Sequence, residues 1–260
     1  MTSLSDQLIN QLAASGVRDF FGVQGGACAH LIRSSSMNRL TRFTPVLNEQ
    51  SAGLCAHGYF KATGRPAGVI VTTGPGFSNL VTGMLTCYFD RVPLVVLCGQ
   101  VNREMNRAKE FGTRMYGFQE VDHASIASHF SDHVIRITGP ASFTRAMNMV
   151  TNLDSLHGTL FLEIQDDLQR ADSSSVGFNV RTPLSDNQVE DSDRLEEASV
   201  FEDAVVLAET LLRTSTRPLL IVGAGVMEST FTTLSEWGVR ERIPTLFSWG
   251  AQSLGDPQEP

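Results

Sequence analysis

Residues 43–80 read FTPVLNEQSAGLCAHGYFKATGRPAGVIVTTGPGFSNL, and the order of apolar runs, glycines and prolines in this stretch decides the fold. Phe43 to Leu47 is strand-like and Gln50 to Gly64 helix-like, while Ala67 to Val71 reads as a buried strand. Phe77 to Phe89 then shows helical spacing after the loop Thr72-Thr73-Gly74-Pro75-Gly76. Strand, helix, strand, loop, helix is a βαβ unit. Parallel strands place their carboxyl ends along one sheet edge, and ligands bind in the crevice there. The carboxylate of Glu49, at a strand–helix junction, is therefore expected to meet the Gly-Pro-Gly loop at one site.

The flanking sequence continues the alternation. Leu4, Leu8, Ile9 and Leu12 lie on one helical face of Leu4 to Ala14, with Ser3 or Ser5 as cap and Gly16 as stop. Asp19 to Val23 reads as the first strand, and Gln24-Gly25-Gly26-Ala27 turns into a short helix through Ile32. Strands at Leu94 to Cys98, Val134 to Ile137 and Thr159 to Ile164, with a helix from Ser142 to Leu156, complete an α/β series. Such alternation predicts a doubly wound parallel sheet with helices on both faces. Residues 1–171 form this domain. Residues 172–200, rich in Ser, Asp and Glu and without a sustained period, are expected to be an exposed linker. Residues 201–260 carry a helix from Phe201 to Leu212 and strands at Leu219 to Val222 and Pro244 to Phe247, an incomplete Rossmann-like unit.

Composition narrows the partners. A hydrophobic fraction of 42% with 18% charged residues is that of a folded globular chain rather than a disordered one. The formal net charge of −8 argues against a nucleic-acid partner, which would need clustered Lys and Arg. Cys28, Cys55, Cys87 and Cys98 form no C-x-x-C pair and read as reduced core thiols. No apolar run is long enough to span a bilayer, and Met1 to Asp6 lacks a basic, apolar leader, so a cytoplasmic protein without membrane contact is expected. His129 and His133 fall four apart, but without a third ligand the pair is weak evidence for zinc, and no metal site is assigned. Gly223-Ala224-Gly225-Val226-Met227-Glu228 fails the dinucleotide fingerprint at its third glycine.

Leu47-Asn48-Glu49-Gln50, Thr73-Gly74-Pro75-Gly76-Phe77-Ser78-Asn79-Leu80 and Val92-Pro93-Leu94-Val95, extended by Gly25-Gly26-Ala27 and Phe118-Gln119-Glu120, resemble the pyrimidine-binding domain of thiamine diphosphate enzymes of the acetolactate synthase-like group. The resemblance implies that the aminopyrimidine of the cofactor, in its imino form, removes the thiazolium proton, and that Glu49 favours that tautomer by sharing a proton with a pyrimidine ring nitrogen. Outside its motif Glu49 would read as a first-turn helix residue complementing the macrodipole. The same likeness gives Gly25, Gly26, Pro75, Asn79 and Gln119 cofactor contacts. It also sets the Gly74-Pro75-Gly76 loop against the aminopyrimidine rather than a phosphate.

Departures from the family pattern bear on the details. The stretch between Gln100 and Gln119 is longer than the family's. Its segment Asn102 to Met115, with Arg103, Arg107, Lys109 and Arg114 against Glu104 and Glu110, reads either as a solvated loop or as a cover over an anionic substrate. Gln24 stands where the family commonly has proline. An adjacent histidine pair, as in pyruvate decarboxylase-like members, is absent from Arg114 to Asp122, and Glu49 separates the chain from glyoxylate carboligase-like members.

Pro218 to Val226 resembles the start of the family's central domain, which binds FAD in some members. The Gly-Asp-Gly motif of the family's diphosphate-binding domain is not found; Gly255-Asp256-Pro257 lacks the second glycine. Magnesium would then be held through a missing domain or a partner. The expectation is the N-terminal part or a subunit of a 2-oxo acid decarboxylase/carboligase, inactive until a homo-oligomer or complementing subunit brings the diphosphate-binding domain. The alternative is a non-catalytic binding module that retains the fold.

Overall fold

Ser3 opens the first helix, α1 (Leu4–Ala14), by accepting the Asp6 N–H at 3.1 Å, while the Asp6 carboxylate accepts the Ser3 N–H at 3.0 Å. This reciprocal cap satisfies two donors that a helix start leaves unpaired. Leu4, Leu8, Ile9 and Leu12 form the buried stripe behind it. The computed structural model describes residues 2–153, 158–173, 191–223, 225–226, 228–248 and 251. The chain divides into two compact units, Met1–Thr182 and Pro183–Pro260.

In the first unit, after α1, come β1 (Asp19–Gly22), a 3-10 turn (Gly26–Cys28), α2 (Ala29–Met37), β2 (Arg42–Pro45), α3 (Glu49–Thr63), β3 (Ala67–Val71), α4 (Pro75–Phe89) and β4 (Leu94–Gln100). Two short helices, α5 (Ala108–Phe111) and α6 (His123–Ala127), precede β5 (His133–Ile137), α7 (Pro140–Thr151), β6 (Thr159–Gln165) and α8 (Asp166–Gln169). The six strands form one sheet in the order β2-β1-β3-β4-β6-β5, and every pairing is parallel. Residues of β3, β4 and β6 are buried throughout, as strands covered on both faces must be. Alternation along β4 sends Val95 and Leu97 into one core with α1, α2 and α7, and Leu94, Val96 and Cys98 into the other with α3 and α4.

The chain leaves β1 through α2 to β2 on one side, then returns across β1 through α3 to β3 on the other. That reversal of direction opens a crevice between the loops after β1 and β3. Helices α3 and α4 cover the same face and pack closely, because Gly53 and Gly83 meet at the crossing. A Cβ on Gly53 would lie 2.7 Å from the Gly83 Cα. The close crossing holds the first turns of the two helices side by side.

The expected doubly wound parallel sheet is thus present, with differences at element ends. Helix α2 continues past Ile32 to Met37 because its serines are satisfied inside the helix layer: Ser34 donates to Asp6 Oδ1 at 2.6 Å and Ser35 to the Ile32 carbonyl at 2.9 Å. Strand β2 stops at Pro45 and Leu47 is fully exposed, so the apolar run 43–47 is only partly strand. Helix α7 begins at Pro140, where a residue without an N–H is well placed, and ends at Thr151; residues 154–157 lie outside the described residues.

The span expected as linker is shorter than 172–200. Asp172 bridges Ser3 and the Ser173 N–H reaches the Thr2 carbonyl at 2.9 Å, while helix α9 (Asp191–Thr214) starts ten residues before Phe201. Leu, Glu and Ala supply the helix propensity there that the polar composition masked. Residues 174–190 lie outside the described residues. The second unit continues with β7 (Leu220–Val222), α10 (Glu228–Glu241) and β8 (Thr245–Phe247), one parallel βαβ unit in which Phe231 and Phe247 meet edge to face at 5.6 Å. Ile221 and Leu246 on its two strands are exposed.

Candidate active site

Asn48 caps α3 by accepting the Gln50 N–H at 2.8 Å, which fixes Glu49 as the first helical residue and turns its side chain into the crevice. Glu49 is 7% exposed. Its Oε2 accepts from Asn79 Nδ2 at 3.1 Å, and among the described residues no protein donor reaches Oε1. Gly76 faces that second oxygen: a Cβ there would sit 3.3 Å from Glu49 Oε1. A buried carboxylate with one oxygen anchored and the other without a protein donor can share a proton with a ring nitrogen.

The Thr72–Gly76 loop is the hub of the site. Gly74 has φ 66 and ψ −120, a conformation closed to L residues with a side chain, and it forms the N-cap of α4 without any side-chain cap. Gln119 packs on it: a Cβ on Gly74 would lie 2.7 Å from the Gln119 carbonyl oxygen and 2.8 Å from its Cβ. Gln119 itself is a non-glycine residue at φ 58, backbone strain of the kind found at functional sites. On the other side, a Cβ on Gly25 would meet Thr72 at 2.4 Å, whereas Gly26 has open space around it. Pro75, at the first position of α4, is exposed. The fold therefore gathers Gly25, Glu49, Pro75, Asn79 and Gln119 around one loop, with Gly26 beside Gly25.

Beneath the loop lies a buried polar network absent from the site read in the sequence. The Gly74 N–H donates to His123 Nε2 at 3.0 Å, and His123 Nδ1 lies 2.9 Å from Glu163 Oε2. A backbone N–H can only donate, so Nε2 is the bare nitrogen and Nδ1 carries the hydrogen given to Glu163. With that tautomer the 3.2 Å approach of Gln100 Nε2 to Nδ1 sets two donors together; that amide instead donates to the Val121 carbonyl at 2.8 Å. Thr73 Oγ1 lies 3.0 Å from both Gln100 Oε1 and the Gln119 carbonyl, tying β4 to the Gln119 turn. Arg136 Nε donates to Glu163 Oε1 at 2.8 Å and also pairs with Asp122. The sequence did carry a signal for this network: Glu163 interrupts the apolar run of β6, and a carboxylate inside such a strand needs a buried partner.

Cys28 lies behind Gly25, and burial pushes its thiol up to about 11, with Glu49 adding to the rise; it is no nucleophile. The segment Asn102 to Met115 is drawn inward by Glu120, a buried carboxylate that accepts the N–H groups of Arg107, Ala108 and Gly117. Arg103 pairs with Asp167 at 2.6 Å, and Arg107 pairs with Glu110 and stacks on Phe111. Two of its four cations are thus committed to contacts within the protein. His129 bonds the Ser125 carbonyl, and no cluster of three metal-binding side chains occurs among the described residues.

Residues 2–126 match the family described as thiamine pyrophosphate enzyme, N-terminal TPP binding domain. The six-stranded parallel sheet is consistent with the fold of that thiamine diphosphate-binding N-terminal domain. The curated relatives the chain is similar to include acetolactate synthases. It is 27% identical over 262 residues to acetolactate synthase of Arthrospira platensis, covering 97% of the chain and 42% of that protein. It is 28% identical to the chloroplastic acetolactate synthase 1 of Nicotiana tabacum, covering 97% of the chain and 36% of the relative. The mitochondrial acetolactate synthase catalytic subunit of Saccharomyces cerevisiae is 27% identical, with 97% and 37% covered. The chain thus spans about two fifths of the length of these relatives. No helix among the described residues is long and apolar enough to cross a membrane.

Proposed function

We propose that this chain supplies the pyrimidine-binding half of a thiamine diphosphate-dependent 2-oxo acid decarboxylase/carboligase, with Glu49 as its catalytic carboxyl. The observation that carries the reading is the Glu49 carboxylate, buried at the sheet's switch point, anchored through one oxygen by Asn79 and open at the other. The donor set fits the pyrimidine end of the cofactor: a carboxyl with one oxygen left without a protein donor can meet a ring nitrogen, beside a loop of Gly74, Pro75 and Gly76. When bound, thiamine diphosphate supplies the carbanion-stabilising chemistry that a 2-oxo acid such as pyruvate needs to lose carbon dioxide. The chain's own work is to hold the ring and to share a proton at Glu49 Oε1. Asn79 orients the carboxylate, and Gln119 approaches from the opposite side of the turn.

In this proposal magnesium and the diphosphate are held by a diphosphate-binding domain elsewhere in the enzyme or on a partner. The chemistry needs no FAD. Exposed Leu47, Leu54 and Phe118 supply apolar surface near the site for that domain, or a second copy of the chain, to cover. The test is an amide NMR titration of the chain with thiamine diphosphate and magnesium. Shifts confined to Gly25, Glu49, Gly74 to Asn79 and Gln119, with weak affinity, are expected. Shifts elsewhere or none would refute the site, and sub-micromolar binding would refute the division into halves.

A further inference from the structure

We propose that His123, as its Nδ1–H tautomer, is a positioning residue that sets the Gly74–Asn79 turn against Glu49. The proposal rests on the reading of Glu49 and this turn as the pyrimidine site, and it adds to that site a residue that touches neither the carboxylate nor the open crevice. The imidazole is fully buried on α6, held edge-on by Phe77 at 5.0 Å. Its two nitrogens face opposite ways along one line of contacts: Arg136 on β5, Glu163 on β6, His123, and the Gly74 N–H at the head of α4.

Local structure explains why the turn needs this partner. Gly74 brings no side chain to cap α4, and Pro75 brings no N–H. The Gly74 N–H is buried, so without an acceptor its peptide plane would turn towards one. His123 Nε2 is that acceptor, and it fixes the plane of the peptide that starts the turn. Gly76 and Asn79 ride on the same first turns of α4, one facing Glu49 Oε1 and the other bonded to Oε2. Thr73, next to His123 at 3.2 Å, carries the same restraint to the Gln119 carbonyl. Glu163 keeps the ring in the required form: its carboxylate accepts a hydrogen bond from Nδ1–H, leaving Nε2 bare for Gly74. Charge on Glu163 is balanced by Arg136, whose guanidinium reaches out to Asp122 at the surface.

Two measurements on the chain itself test the proposal. Long-range 1H–15N spectra of the histidine side chains should show His123 with a protonated Nδ1 and a bare Nε2; a protonated Nε2 or a doubly protonated ring would overturn it. In the second, His123→Phe keeps the ring volume and removes both nitrogens, while His123→Gln returns an acceptor. Hydrogen exchange at the Gly74 amide should quicken about fivefold to tenfold in H123F, the loss expected for one hydrogen bond, and recover in part in H123Q. Shifts induced at Glu49 by thiamine diphosphate should weaken in H123F in the same order. Unchanged Gly74 exchange, or unchanged Glu49 shifts, in a folded H123F would overturn the positioning role and leave the proposed function standing. Absence of cofactor shifts in the wild type would fell the functional reading, and this proposal with it, whatever the tautomer. Should H123F fail to fold, the wild-type tautomer decides alone.

Discussion

Gly74→Ala adds backbone strain and crowding together at the centre of the site. An alanine held at φ 66 and ψ −120, outside the αL region, costs at least about 1–2 kcal/mol of backbone strain. The new Cβ would also stand 2.7 Å from the Gln119 carbonyl oxygen and 2.8 Å from the Gln119 Cβ. Neither neighbour is free to move, because Gln119 is itself in the left-handed region and its carbonyl lies within bonding distance of Thr73. Overpacking of this kind adds about 1–3 kcal/mol. The total of about 2–5 kcal/mol corresponds to a fall in Tm of roughly 4–20 °C for a domain of this size. Gly112 lies in the αL region at φ 64 and ψ 23 with no neighbour within 4 Å, so Gly112→Ala carries backbone strain alone, and a smaller strain than at Gly74. Calorimetry of the two variants beside the wild type is the assay. G74A should melt well below G112A; equal Tm values for the two would refute the claim that Gln119 seals the turn.

Three other outcomes follow from the structure. Ser3→Ala should cost about 1 kcal/mol, read as a Tm lower by roughly 2–4 °C, because it removes the acceptor of the capping box. Thiol labelling at neutral pH should modify Cys55, which is exposed, and spare Cys28, Cys87 and Cys98, whose thiols burial pushes up, Cys87 to about 12. For Asp6 and Asp122, burial acts to raise the carboxyl, but Ser34 and Ser3 in the first case, and the Ser125 N–H and Arg136 in the second, hold it below the ordinary 3.8. The unfolded chain then binds more protons than the folded one, so their contribution is complete above about pH 4 and is lost as pH falls through the lower folded values. Tm measured from pH 6 to 2 should fall along that limb, and Asp6→Asn with Asp122→Asn should flatten it.

How far the sequence reached depended on the range of the interaction. Local patterns located Leu4–Ala14 and Ala67–Val71 to the residue, because one amphipathic stripe and one apolar run bounded by Pro66 and Thr72 suffice. The meeting of Glu49 with the Gly74–Asn79 turn was legible too, since a βαβ unit brings strand ends together whatever the loops contain. Leu47 shows the limit on the other side: an apolar residue two before Glu49 reads as part of the strand, yet it is exposed because β2 ends at Pro45. Helix 191–200 escaped notice because its helix formers are mixed with acidic residues at no apolar period. His123 carries no local motif that marks it as part of a site. Its real partners, Gly74 and Glu163, lie 49 and 40 residues away, and only the folded sheet joins them.

The proton shared at Glu49 is the centre of the account, and exchange of the thiazolium proton reports on it directly. The measurement compares wild type and Glu49→Gln in a complex with a diphosphate-binding partner, with deuterium exchange into bound thiamine diphosphate followed by NMR after acid quench. An amide keeps the Asn79 contact and the size of the side chain but cannot share a proton with a ring nitrogen. Exchange slower by about 10²–10⁴-fold is expected, with Tm moved by no more than about 1–2 °C. An unchanged exchange rate would contradict it and leave Glu49 a helix-start residue.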